Sequence, residues 1–165
     1  MRHRILLITL SIFLVFSSLC ASSNLNGMRL INLDGTKTYR LEDLQGTITI
    51  VNFWATWCPP CRVELPVLMK VAERYRDRGV RLITISLDAK SSVVTKFLKK
   101  KDLEALPAYR LMEGSSSAGV ESLPTTFVQD SKGSLIMTFS GYDSTMEDQL
   151  VYLIERHLES KKTTV

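Results

Sequence analysis

The segment Trp57-Cys58-Pro59-Pro60-Cys61-Arg62 follows directly on the run from Ile48 to Trp54, which is apolar except for Thr49 and Asn52. A run with apolar residues on both faces is the pattern of a central strand covered on each side. Two cysteines three positions apart at the start of the next helix can close a small disulfide ring at the edge behind which that strand ends. This is the layout of a redox dithiol. The reactive form of a thiol is the thiolate, and a helix N-terminus offers unpaired N–H donors and a positive dipole end that favour it. Cys58 sits at that end, and Pro59 suits the first helical position because its fixed backbone angle is helical and its missing N–H has no partner there.

The other cysteine, Cys20, lies in an N-terminal segment of different character. Met1-Arg2-His3-Arg4 precedes an apolar stretch from Ile5 to Phe16, which gives way to Ser17-Ser18-Leu19-Cys20-Ala21-Ser22. A basic start, a short apolar core and small residues after it describe an export signal. The apolar part is shorter than the ~18 to 20 residues of a comfortable membrane span, although Ser17 to Ala21 can extend it. Cleavage after Ala21 is the preferred reading. An uncleaved signal anchor and lipid attachment at Cys20 remain alternatives, and Leu19 is a poor fit to the last.

Residues 1–21 are thus expected to direct export, residues 22–160 to form one domain, and residues 161–165 to be a tail. Without the first 21 residues, 19 basic side chains face 17 acidic ones. That balance gives no reason to expect nucleic acid as a partner. The cluster Lys96, Lys99, Lys100 and Lys101 reads as a solvated helix face. Only Cys58 and Cys61 remain in the domain, and so small a loop removes little unfolded-state entropy, so their value lies in chemistry. Half a zinc site would need two more ligands, and beyond these two cysteines the domain offers only His157 as a nitrogen or sulfur ligand; no metal is expected.

Periodicity orders the rest. Met28 to Leu33 reads as a strand turning at Asp34-Gly35, with Thr36 to Leu41 pairing back. A helix runs from Pro59 toward a stop at Gly79, and Val80 to Leu87 is a second buried strand. A helix capped by Ser91 or Ser92 is expected to bury Val93, Val94, Phe97 and Leu98. Pro107 to Met112 is a further strand, and Glu113 to Gly119 a loop or single turn. Thr125 to Gln129 and Leu135 to Ser140 make a hairpin, and a last helix from Ser144 buries Met146, Leu150, Leu153, Ile154 and Leu158.

The stretch Phe53 to Pro66, with Leu123-Pro124-Thr125-Thr126-Phe127-Val128 later in the chain, resembles the thioredoxin-like proteins, and within them the exported TlpA/ResA/DsbE-like branch. The resemblance spans roughly residues 27 to 158. It implies an α/β thioredoxin fold: a mixed central sheet, helices on both faces and a central βα insertion between residues 80 and 105. It further implies a thiol-disulfide oxidoreductase without a bound cofactor, acting on protein dithiol or disulfide clients and fed by an exported or membrane electron donor. The implied location is the periplasm or the outer face of the cytoplasmic membrane, with membrane contact only through the N-terminal segment if it is uncleaved or lipidated.

Site residues follow residue by residue. Cys58 is expected to be the nucleophile and Cys61 the resolving thiol. Glu64, three positions after Cys61, matches an acidic position beside the active site of ResA-like members, where a partly buried carboxyl group can take or return a proton; a solvated helix glutamate is the plainer alternative. Asn52 stands where typical thioredoxins carry a buried aspartate. Leu123-Pro124-Thr125 matches the cis-proline segment, which with Trp57 and Pro59 is expected to meet the client. Reduction is the expected direction, with cytochrome c maturation as one service. A peroxide-reducing relative of the same fold and a thiol-based binding module without turnover are the alternatives.

Overall fold

The structure is a computed structural model and describes residues 25, 27–112 and 120–162, with side chains described as far as 160. The expected N-terminal export segment, the Glu113 to Gly119 loop and the end of the tail lie outside these residues. Among the described residues no helix is long and apolar enough to cross a membrane.

Among the described residues seven strands form one sheet: β1 (Arg29–Asn32), β2 (Thr38–Arg40), β3 (Ile48–Trp54), β4 (Val80–Ser86), β5 (Ala108–Leu111), β6 (Thr125–Asp130) and β7 (Leu135–Ser140). Their order across the sheet is β2-β1-β5-β4-β3-β6-β7. β3 pairs parallel with β4, and β4 with β5, whereas the β1–β2, β1–β5, β3–β6 and β6–β7 pairs are antiparallel. The sheet is therefore mixed, as expected. All seven residues of β3 are buried, Thr49 and Asn52 included, which is why the run carries apolar side chains on both faces.

The described residues form three α-helices: α1 (Pro59–Arg74) between β3 and β4, α2 (Ser91–Lys100) between β4 and β5, and α3 (Met146–Lys162) after β7. Leu65, Leu68 and Val71 of α1, Val94 and Leu98 of α2, and Met146, Leu150, Ile154 and Leu158 of α3 join one core with Ile48, Ile50 and Trp54. Val51, Phe53, Ile83, Ile85 and Phe127 point the other way, into a second core closed by Leu25, Met28, Leu30 and Leu41. Leu41 opens a short 3-10 helix, Leu41–Leu44. Among the described residues, helical cover of the two faces is thus unequal: three α-helices pack on one side and this single turn on the other.

Two local expectations are corrected. α2 begins at Ser91, but its N-cap residue is Lys90 and no side chain caps it; the Ser91 hydroxyl instead accepts a hydrogen bond from Arg110 Nη1 at 3.3 Å. Val93 is 45% exposed, because Val94 and Leu98, four positions apart, set the buried side of this short helix. The Gly79 stop holds: α1 ends at Arg74, a 3-10 turn Arg76–Arg78 follows, and Gly79 takes the left-handed conformation with φ of 82°.

Candidate active site

β3 ends at Trp54, and the chain reaches the first turn of α1 through a tight turn closed by the Cys58 N–H on the Ala55 carbonyl at 3.2 Å. Cys58 is the N-cap residue of α1, in extended conformation, and Pro59 and Pro60 occupy the first helical positions. The Cys58 Sγ accepts the Cys61 N–H at 3.2 Å, so the sulfur takes up one of the donors that a helix start leaves unpaired. Cys58 and Cys61 are joined as a disulfide with their Cα atoms 5.3 Å apart.

The two sulfurs differ in surroundings. Cys61 is fully buried, whereas Cys58 retains 4% exposure and lines an open groove of about 450 Å³ with Trp57, Pro59, Pro60, Leu87, Val120, Glu121, Ser122 and Leu123. Trp57 is 63% exposed on its wall, and Trp54 lies wholly in the core. The Leu123-Pro124 peptide bond is cis, in agreement with the expectation. Pro124 itself is buried, and its carbonyl accepts the Gly141 N–H at 2.8 Å. Thr125 is also buried, its hydroxyl donating to the Ser122 carbonyl at 2.8 Å. The structure therefore gathers Trp57, Cys58, Pro59 and Leu123 at one opening, whereas Cys61, Glu64, Pro124 and Thr125 are buried and do not line it.

Glu64 is 1% exposed, which rules out the solvated-glutamate alternative. Like Cys61 it lies on the buried side of α1. Its Oε1 accepts Asn52 Nδ2 at 3.1 Å and the Thr126 hydroxyl, and Asn52 Nδ2 also donates to Thr126 Oγ1 at 2.8 Å. Burial pushes the carboxyl group up to about 7, against the downward pull of the Thr126 hydrogen bond. The amide of Asn52 thus holds the one carboxyl group of this polar core without adding a charge.

Thr126 was not singled out by residue type. It faces Asn52 directly across the β3–β6 ladder, and only that register brings it to Glu64. Asp88, just past the end of β4, was missed as well. Its carboxylate accepts the Thr56 N–H at 2.8 Å, the Thr56 hydroxyl at 2.6 Å and the Ser86 hydroxyl at 2.8 Å. Arg110 then binds the carbonyls of Asp88 and Ala89 at 3.1 and 2.8 Å. The sequence signal for this site is slight: a serine at the end of a largely apolar strand and an aspartate two positions beyond it.

A disulfide of neighbouring cysteines at the N-terminus of the helix that follows a central strand, beside a cis-proline segment on the adjacent strand, defines a thioredoxin-fold dithiol protein. The AhpC/TSA family model matches residues 24–157, and the chain belongs to this family. It is similar to the thiol-disulfide oxidoreductase ResA of Bacillus thuringiensis subsp. konkukian, with 34% identity over 123 residues, 74% of this chain and 70% of that protein. ResA of Geobacillus thermodenitrificans is 33% identical over 134 residues, covering 81% and 73% respectively. Among solved structures, the exposed lipoprotein thioredoxin of Streptococcus pneumoniae superposes with a TM-score of 0.60 at 29% identity, covering 77% of this chain and 97% of that one. A thiol:disulfide interchange protein of the thioredoxin family from Chlorobium tepidum gives 0.62 at 27% identity, covering 78% and 90%. The chain is a thiol-disulfide oxidoreductase of this group.

Proposed function

We propose that this oxidoreductase reduces disulfides in exported protein clients through the Cys58/Cys61 pair. The observation that carries the reading is the inequality of the sulfurs: Cys58 sits at the helix start and opens on the groove, whereas Cys61 is enclosed. In the dithiol form the Cys58 thiolate attacks a client disulfide and releases one client thiol, and a mixed disulfide joins Cys58 to the client. Cys61 then attacks Cys58, closes the protein disulfide and frees the second client thiol. Two electrons pass to the client, and the two protons of the cysteines end on its thiols. Glu64 takes the Cys61 proton or returns it, because a carboxyl group near neutral pKa can do either at working pH. Trp57, Pro59, Leu123 and the chain around Pro124 and Thr125 hold the client segment along the groove.

The test is trapping. Cys61→Ser should accumulate a client mixed disulfide on Cys58, and Cys58→Ser should trap little; equal trapping by both would remove the assignment of roles. The resemblance to the ResA-like branch supports service to haem-attachment dithiols in cytochrome c maturation, with an exported or membrane-bound donor restoring the dithiol. The basic, then apolar, start of the chain supports export, to the periplasm or the outer face of the cytoplasmic membrane. A reporter that works only outside the cytoplasm, fused after Val165, should be active, and a reporter working only inside would contradict export.

A further inference from the structure

We propose that Asp88 is a positioning residue for the dithiol: by clamping the turn that carries Cys58 it favours closure of the Cys58–Cys61 disulfide and makes the protein a stronger reductant. The inference rests on the exchange chemistry proposed above and adds a residue that chemistry does not use. Asp88 is 7% exposed and lies in the loop after β4, 30 positions from Cys58 in the chain.

Thr56 is the second residue of the turn Ala55-Thr56-Trp57-Cys58, and each of its polar groups is held. Its N–H and hydroxyl both go to the Asp88 carboxylate, and its carbonyl accepts Arg62 Nε at 2.8 Å. The Leu87 N–H on the Trp54 carbonyl, at 2.8 Å, ties the same two loops once more. Asp88 is in turn fixed by Ser86, while Arg110 pins the carbonyls of Asp88 and Ala89. The turn is therefore set by contacts that do not depend on the disulfide.

That independence has a thermodynamic consequence. When the disulfide is intact, the bond itself restrains Cys58. When it is reduced, only the turn keeps the two sulfurs near each other. A clamped turn raises the effective concentration of one thiol for the other, since the ordering needed for ring closure is already in place. Loss of the clamp frees the reduced form more than the oxidised form, so the disulfide becomes easier to reduce.

The experiment equilibrates the full chain with glutathione buffers. Reduction breaks the Cys58–Cys61 bond; two glutathione thiols supply two electrons and two protons, giving two protein thiols and one glutathione disulfide. For Asp88→Ala the equilibrium constant for reduction should rise about tenfold, or ~30 mV toward a more oxidising potential. Thr56→Val, which keeps the charge of Asp88 and removes one hydroxyl, should rise about threefold, and Thr56→Ser should stay near wild type. In melting experiments the oxidised form of Asp88→Ala should lose more stability than the reduced form. Equal losses in both forms with an unchanged equilibrium constant would make Asp88 a purely structural residue and overturn the proposal. Should Asp88→Ala fail to fold, an unshifted Thr56→Val would overturn it alone. A wild-type chain that does not exchange with glutathione at all would remove the exchange reading, and this proposal with it.

Discussion

Glu64 and Thr126, 62 positions apart in the chain, meet in the core as a hydrogen-bonded pair in which the Thr126 hydroxyl donates to Oε1 of an almost fully buried carboxyl group. The pair joins the helix that carries the cysteines to the strand that follows the cis-proline. It also places a titrating group inside the protein, with consequences for pH.

Burial raises the Glu64 carboxyl from an ordinary 4.5 to about 7. The folded state then binds a proton more tightly than the unfolded one, so the stability linked to this group is full below 4.5 and is lost as pH rises through about 7. Urea unfolding of the oxidised protein should show stability falling by up to about 3 kcal/mol over that interval. Glu64→Gln keeps an acceptor for Asn52 and Thr126 and should flatten the profile, leaving the variant more stable than wild type at alkaline pH. The pH profile of exchange should lose its inflection near neutrality. Profiles that superimpose on wild type would show that Glu64 does not titrate there.

Thr126→Val removes the hydrogen bond that opposes the effect of burial on Glu64. The carboxyl group should titrate at higher pH still, and stability should fall by about 1 to 2 kcal/mol because the acceptor loses a donor in a buried place. Carboxyl infrared difference spectra across a pH series would read the shift directly; a shift toward acid would contradict the arrangement.

Trp57→Ala should separate client binding from sulfur chemistry. The ring is 63% exposed on the wall of the groove beside Cys58, so its loss should change stability by no more than about 0.5 kcal/mol. Turnover of a protein client is expected to fall about tenfold, the order of one lost apolar anchor, with exchange against a small dithiol nearly unchanged. A constant ratio of the two rates would mean that clients do not use this wall.

Gly79→Ala tests the far end of the sheet. Gly79 has φ of 82°, and a Cβ there would approach the Thr47 hydroxyl oxygen to 2.5 Å, at a point where the Gly79 carbonyl accepts the Thr47 N–H at 2.8 Å. The left-handed conformation and the contact together should cost about 1 to 3 kcal/mol. The glutathione equilibrium should not move, because Thr47 and Gly79 precede β3 and β4 and the cysteines follow β3. Chemical denaturation and the redox titration, run on the same sample, check both halves.

What the sequence alone determined is what a few neighbouring residues decide among themselves. Ile48–Trp54 forms β3 at the bounds its apolar run predicts, and α1 starts where two prolines suit the first helical positions. The cysteine pair needs only three positions of one helix start to meet. The resemblance added the cis bond before Pro124, a state that local propensity does not favour. Tertiary structure decided what depends on strand register and on which side of an element is covered. The spacing of Glu64 from Cys61 put both on one side of α1, but it took the pairing of Asn52 with Thr126 across β3 and β6 to make that side polar. Asp88 reaches Thr56 because β3 and β4 run parallel and end together. Val93, as apolar as Val94, is exposed because α2 is short and turns Val94 and Leu98 inward. Periodicity reports that a residue is apolar or polar at a given phase of an element, whereas its neighbours come from other segments, 12 to 74 positions away in this site, whose arrival depends on how the whole sheet closes.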